Sequence, residues 1–133
     1  MRAVIGVVAV SFFAGMGVMA LAQVATAPAA ASVELKQLQV LDLGAELPNM
    51  KGMKFRMRTV TFPPGSRTPE HSHQGRPGLV YVLQGTFTEH RNGVTTEYGP
   101  GSTWVEDHNT THWAENRGST PAVQLSIAID DQP

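Results

Sequence analysis

His71 and His73 flank Ser72, and on an extended backbone this i, i+2 spacing sends both imidazoles out of the same face, where they can converge on one ion. A third histidine, His112, falls on a later extended segment. Three neutral imidazoles from two strands make a site that is open on one side, so that water or a small molecule can complete the shell of a bound divalent metal. Taken alone, a His-x-His pair in a surface loop is equally well read as solvated. The chain contains no cysteine, which leaves histidine and carboxylate as metal ligands and removes both thiolate chemistry and disulfides.

The elements that must position these residues are short. From Val33 onward, apolar-polar runs are broken every few residues by turn residues, and no window keeps a helical period for three turns. Strands are expected at Glu34–Leu43, Met53–Phe62 (ended by Pro63-Pro64-Gly65), Gly78–Gln84 and Thr86–Arg91. Asn92-Gly93 then predicts a hairpin into Val94–Tyr98. After Gly99-Pro100-Gly101, Ser102–Glu106 and Thr111–Asn116 are expected to pair with each other. The last strand alternates, with Val123, Leu125, Ile127 and Ile129 on one face and Gln124, Ser126 and Ala128 on the other. Roughly eight such strands make a sandwich or a barrel. A composition of 41% hydrophobic and 16% charged residues, with 13 Gly and 9 Pro, fits many short strands in one core and excludes a disordered or collagen-like chain.

In this register the sequence resembles the cupin superfamily. Gly65, five residues, His71-Ser72-His73 and later Gly85 match the first cupin motif; Gly101, five residues, Asp107, Asn109, His112 and Asn116 fall on the second. The resemblance implies an all-β, antiparallel double-stranded β-helix, the jelly-roll or cupin barrel, over residues 33–133. It also implies a metal held by His71, His73 and His112, with iron, manganese, copper, nickel or zinc all compatible. There are three departures. Asp107 and Asn109 replace the proline and glycine of the second motif. Gly78 stands where the family has its metal-binding glutamate, so a replacement ligand is sought among Gln74, Glu70 and Glu106, with Glu106 ranked first because it precedes the turn that leads to His112.

Arg76 shares a face with Gly78 if the extended run begins there, and its guanidinium would then suit an anionic ligand at the barrel mouth; the alternative is an exposed loop arginine. Tyr81, Trp104 and Trp113 are expected in the core or the barrel wall, with Trp113 pointing away from His112. His90 reads as a surface strand residue and His108 as a turn residue near the site. Met50, Met53 and Met57 read as core filler in preference to copper ligands.

Arg2, the apolar run Ala3–Leu21 and the Ala20-Leu21-Ala22 site predict a signal peptide at 1–22, followed by an Ala-rich linker at 23–32. The alternative is a retained anchor. Export to the periplasm or the medium is expected, with no membrane contact after cleavage. Losing Arg2 leaves 9 basic residues, from 10, against 11 acidic ones, too balanced a charge and too dispersed a set of cations for a nucleic-acid partner. A small-molecule ligand and a homodimer are the expected partners. Cupins with this motif pair include dioxygenases, isomerases, decarboxylases and non-catalytic binders. An oxygen-dependent dioxygenase acting on a small organic substrate leads the enzymatic readings, and an exported module that binds a small sugar or anion without catalysis is the alternative.

Overall fold

The computed structural model describes residues 31–131; the expected leader at 1–22 and the linker up to residue 30 lie outside the described residues. The first strand, β1 (Glu34–Asp42), runs into a helical turn, α1 (Leu43–Glu46), and a 3-10 turn at Pro48–Met50. Eight strands follow: β2 (Lys54–Phe62), β3 (His71–Ser72), β4 (Gly78–Gln84), β5 (Phe87–Arg91), β6 (Val94–Tyr98), β7 (Thr103–Glu106), β8 (Thr111–Glu115) and β9 (Ala122–Asp130). They form two antiparallel sheets, ordered β1-β2-β9-β4-β7 and β3-β8-β5-β6, which face each other as a jelly-roll barrel. Among the described residues, no helix is long and apolar enough to cross a membrane.

Local chemistry sets the corners. Asn92 and Gly93 both take positive φ, 52° and 75°, which matches the twist of a two-residue hairpin and pairs Arg91 with Val94. Gly85, at φ 71°, carries the chain from β4 in one sheet to β5 in the other, and a Cβ there would lie 2.7 Å from the Ala122 Cα. The expected pairing of Ser102–Glu106 with Thr111–Asn116 does not occur. β7 pairs with β4, and β8 pairs with β5 and β3, so the intervening turn crosses between the sheets instead of closing a hairpin. β3 is an addition that no periodicity announced.

One end of the barrel is filled. Val60, Phe62, Val80, Val82, Phe87, Trp104, Ala114 and Ala122 form the buried core, with Phe62 edge-on to Phe87 at 5.0 Å between ring centroids. Trp104 is therefore a core residue, whereas Tyr81 projects from the outer wall and Trp113 lies on the outside of the second sheet, stacked on His90 at 3.7 Å. Met50, Met53 and Met57 are half-buried and none enters this core, which corrects their reading as core filler. The other end is polar: Arg56 and Arg58 of β2 both meet the buried Asp130 of β9, at 2.7 Å and 2.9 Å.

Candidate metal centre

β3 positions the first histidine. It pairs with β8 so that His71 sits opposite His112, and the ladder continues one step further, with the His73 N–H donating to the Thr110 carbonyl at 2.9 Å. His71 and His73 therefore leave an extended backbone on the side from which His112 projects. The three ring centroids are 4.8 to 5.0 Å apart, and one nitrogen from each ring lies within 4.8 Å of the others. His73 and His112 are buried and His71 is partly exposed, so the cluster opens on the His71 side.

The second nitrogen of each ring is engaged. His71 Nδ1 donates to the Pro69 carbonyl at 2.9 Å, His73 Nδ1 faces the Arg76 carbonyl at 3.3 Å, and His112 Nδ1 meets Glu89 Oε1 at 2.5 Å. An oxygen beside each Nδ1 assigns the ring hydrogen there and leaves Nε2 as the electron-pair donor. His73 Nε2 and His112 Nε2 then face each other at 3.1 Å with lone pairs opposed, an arrangement that a cation between them relieves. Burial pushes the His73 imidazole below its ordinary pKa, opposed in part by the Glu106 carboxylate and the Arg76 carbonyl, so the neutral, ligating form is favoured. Three convergent imidazole nitrogens with fixed tautomers fit a divalent transition metal.

Glu89 holds the His112 imidazole from behind. Burial alone would raise its pKa, but hydrogen bonds from His112 and Arg91 outweigh that and hold the carboxyl below the ordinary value. Its Oε1 also receives Arg91 Nε at 3.0 Å and Nη2 at 2.6 Å. A carboxylate that fixes a ligating imidazole in this way raises the basicity of its free nitrogen.

The imidazoles open into a cavity of about 160 Å³, whose polar lining includes Arg58, Arg76, Glu106, Gln124 and Ser126 and whose apolar lining includes Val60, Phe62 and Trp104. The buried Gln124 Oε1 has no hydrogen-bond partner.

The cupin-domain family model matches residues 58–128, more than half of the chain. The chain belongs to the cupin family. Among curated relatives, this cupin is 29% identical over 93 residues to germin-like protein 5-1 of Oryza sativa subsp. japonica, which covers 66% of the chain and 42% of that relative. It is 33% identical over 68 residues to the oxalate-binding protein of Thermotoga maritima, which covers 51% of the chain and 56% of that protein. Alignments with germin-like relatives thus span about two-fifths of their length. Among solved structures, it superposes on a predicted oxalate decarboxylase from Thermotoga maritima with a TM-score of 0.60 at 27% identity, covering 73% of the chain and 79% of that structure.

Within the cupin barrel the structure brings His71, His73 and His112 together and sets Glu106 beside them, 6% exposed. Arg76 lines the cavity mouth, where its guanidinium donates to the Ser72 carbonyl at 2.7 Å. Gln74 is exposed in the turn after His73 and does not line the cavity, and Glu70 is likewise exposed outside it. His108 is exposed and stands outside the cluster; His90 is held on the outer wall by Trp113 and by Glu115 at 2.9 Å. Sequence reasoning passed over Glu89, Arg58 and Gln124. Strand parity held the signal for all three: Glu89 shares its face with Phe87, Arg58 with Val60 and Phe62, and Gln124 with Ala122.

Proposed function

We propose that this cupin binds a divalent metal through His71, His73 and His112 and uses it to capture a small organic anion of the carboxylate class. The observation that carries this reading is the shared cavity: three imidazole edges on one side, and Arg58, Arg76, Gln124 and Ser126 around the remaining space. A volume of about 160 Å³ is well below that of drug-sized sites and suits a ligand of a few heavy atoms. The Thermotoga maritima relative is an oxalate-binding protein by name, which supports the same ligand class. A bound divalent ion would supply Lewis acidity toward a carboxylate oxygen. The chain's own part is to orient the ligand through guanidinium and amide groups, and to exclude water from its apolar side with Val60, Phe62 and Trp104.

Untagged protein analysed by plasma mass spectrometry should carry one metal per chain, and His73→Ala should lose it; a metal-free wild type that also fails to take up added metal would overturn the reading. Calorimetry with oxalate and with neutral sugars of similar size then tests the ligand, and preference for the sugars would reject the anion. Oxygen-dependent dioxygenase chemistry is the second reading, favoured by the open His71 side of the cluster, and oxygen uptake against phenolic, thiol and diketone substrates decides it.

Two further parts of the reading rest on other features. The outer face of the five-stranded sheet is apolar, with Met57, Ile127, Leu79 and Val105 aligned in one row across four strands and Leu79 and Val105 more than half exposed. A row without charge suits an isologous contact with a second copy of the chain. Light scattering should give a dimer mass that Leu79→Lys with Val105→Lys halves. Export is supported by the Arg2 to Ala22 leader pattern, and amino-terminal sequencing of secreted protein should begin at Gln23.

A further inference from the structure

We propose that Glu106 provides a carboxylate ligand to the metal, delivered from β7 across the strand pair and into space kept free by Gly78. The inference rests on the three-histidine reading and adds a ligand to it. Gly78 and Glu106 are register partners in the β4–β7 ladder. Glu106 points inward, is 6% exposed, and accepts from Trp104 Nε1 at 3.2 Å. Its Oε1 lies 3.7 Å from His112 Nε2, the ligating nitrogen of that ring, while its Oε2 lies 3.4 Å from the hydrogen-bearing Nδ1 of His73, so the carboxylate reaches the ligating side of the cluster at His112.

The glycine supplies the independent argument. Gly78 is not among the residues with positive φ, so its backbone conformation does not demand glycine. Space does. A Cβ at position 78 would stand 2.9 Å from Glu106 Oε2, closer than real Cβ atoms come, with the Ile127 carbonyl next at 3.2 Å. Glycine inside a strand commonly marks close approach of another group, and here the group is the Glu106 carboxylate. A side chain at 78 and the present position of Glu106 exclude each other, so the site takes its carboxylate from β7.

The test is a Co(II) titration of apo-protein, read by visible absorption and by calorimetric affinity. Glu106→Gln should weaken binding by at least about tenfold and change the visible spectrum, since it removes a charged donor at nearly constant volume. The double variant Glu106→Ala with Gly78→Glu moves the carboxylate to β4 and should regain most of the lost affinity. Gly78→Ala keeps Glu106 but displaces it, and should alter the spectrum; it serves as the second probe if Glu106→Gln fails to fold. His73→Ala separates the two layers of the argument. If His73→Ala abolishes binding while Glu106→Gln, or Gly78→Ala in its place, keeps the wild-type affinity and spectrum, the Glu106 assignment is wrong and the three-histidine site stands. If His73→Ala binds Co(II) like the wild type, the three-histidine reading falls.

Discussion

Replacing Glu89 tests whether the buried carboxylate behind His112 tunes the cluster. Three donors converge on one oxygen, Glu89 Oε1: His112 Nδ1 at 2.5 Å, and Arg91 through Nε at 3.0 Å and Nη2 at 2.6 Å. Glu89→Gln can keep an acceptor at that point but loses the charge, whereas Glu89→Ala loses both and frees His112 to move its hydrogen to Nε2, which would remove a ligating lone pair. Hydrogen-bond partners of ligating histidines are worth about 10- to 100-fold in metal affinity, or about 1.4 to 2.7 kcal/mol, with Gln expected near the lower figure and Ala near the upper. The folded state suffers separately. Glu89 and His112 side chains are each 3% exposed, so Ala strands the His112 Nδ1–H away from water, a loss of about 1 to 3 kcal/mol. Arg91, at 27% exposed, can turn to solvent and adds little. Competitive Zn(II) titration measures the first quantity and urea unfolding of the apo-protein the second. Wild-type metal affinity in Glu89→Ala, with the protein folded, would refute the argument that this carboxylate tunes His112.

Two stability predictions follow from other buried contacts. Asn116 is 1% exposed, donates from Nδ2 to the Phe62 and Thr120 carbonyls at 2.8 Å each, and accepts from the Gly118 N–H at 2.9 Å. Asn116→Ala should cost about 2 to 4 kcal/mol in urea unfolding, and a loss below about 1 kcal/mol would mean that water replaces these bonds readily. Gly85→Ala should cost at least about 2 kcal/mol, since it combines positive φ with a clash, whereas Gly93→Ala should cost about 1 kcal/mol for φ alone. The structural contrast is that a Cβ at 85 meets the Ala122 Cα at 2.7 Å and the Pro121 carbonyl at 2.8 Å, while a Cβ at 93 meets nothing within 4 Å. Equal losses in thermal unfolding would show that the corner at Gly85 yields to the extra carbon.

What could be read from the sequence was local. Asn92-Gly93, Pro63-Pro64-Gly65 and Gly99-Pro100-Gly101 punctuate the chain through their own backbone preferences, and β4 and β6 begin and end where their flanking turns place them. The cupin resemblance rested on spacings that bring His71 and His73 onto one face and set His112 opposite His71. What escaped was non-local. β3 is two residues long, too short for any period, and exists because β8 offers it a partner. The mistaken pairing of β7 with β8 assumed that strands close in sequence are close in space, whereas the turn around Asp107 to Thr110 carries the chain from one sheet to the other. Glu89 escaped because a lone carboxylate in a short polar strand looks solvated until the strand's inner face is known, and that face depends on the sheet opposite.

The last strand shows how the two faces of one sheet divide their tasks. A sheet with one face on a core and one in water buries its apolar set. β9 does the reverse: Gln124, Ser126 and Asp130 point inward with Ala122 and Ala128, while Val123, Leu125, Ile127 and Ile129 point out. The inward set becomes intelligible once the barrel has two ends. Ala122 packs into the filled end; Gln124 and Ser126 line the cavity, and Asp130 holds Arg56 and Arg58 at the polar end. The outward set continues through Leu79 and Val105 and leaves an apolar surface that water does not favour. In β9 the inward polar set suits the proposed polar ligand and the outward apolar set suits the proposed contact with a second copy, so the parity of one strand serves both proposals.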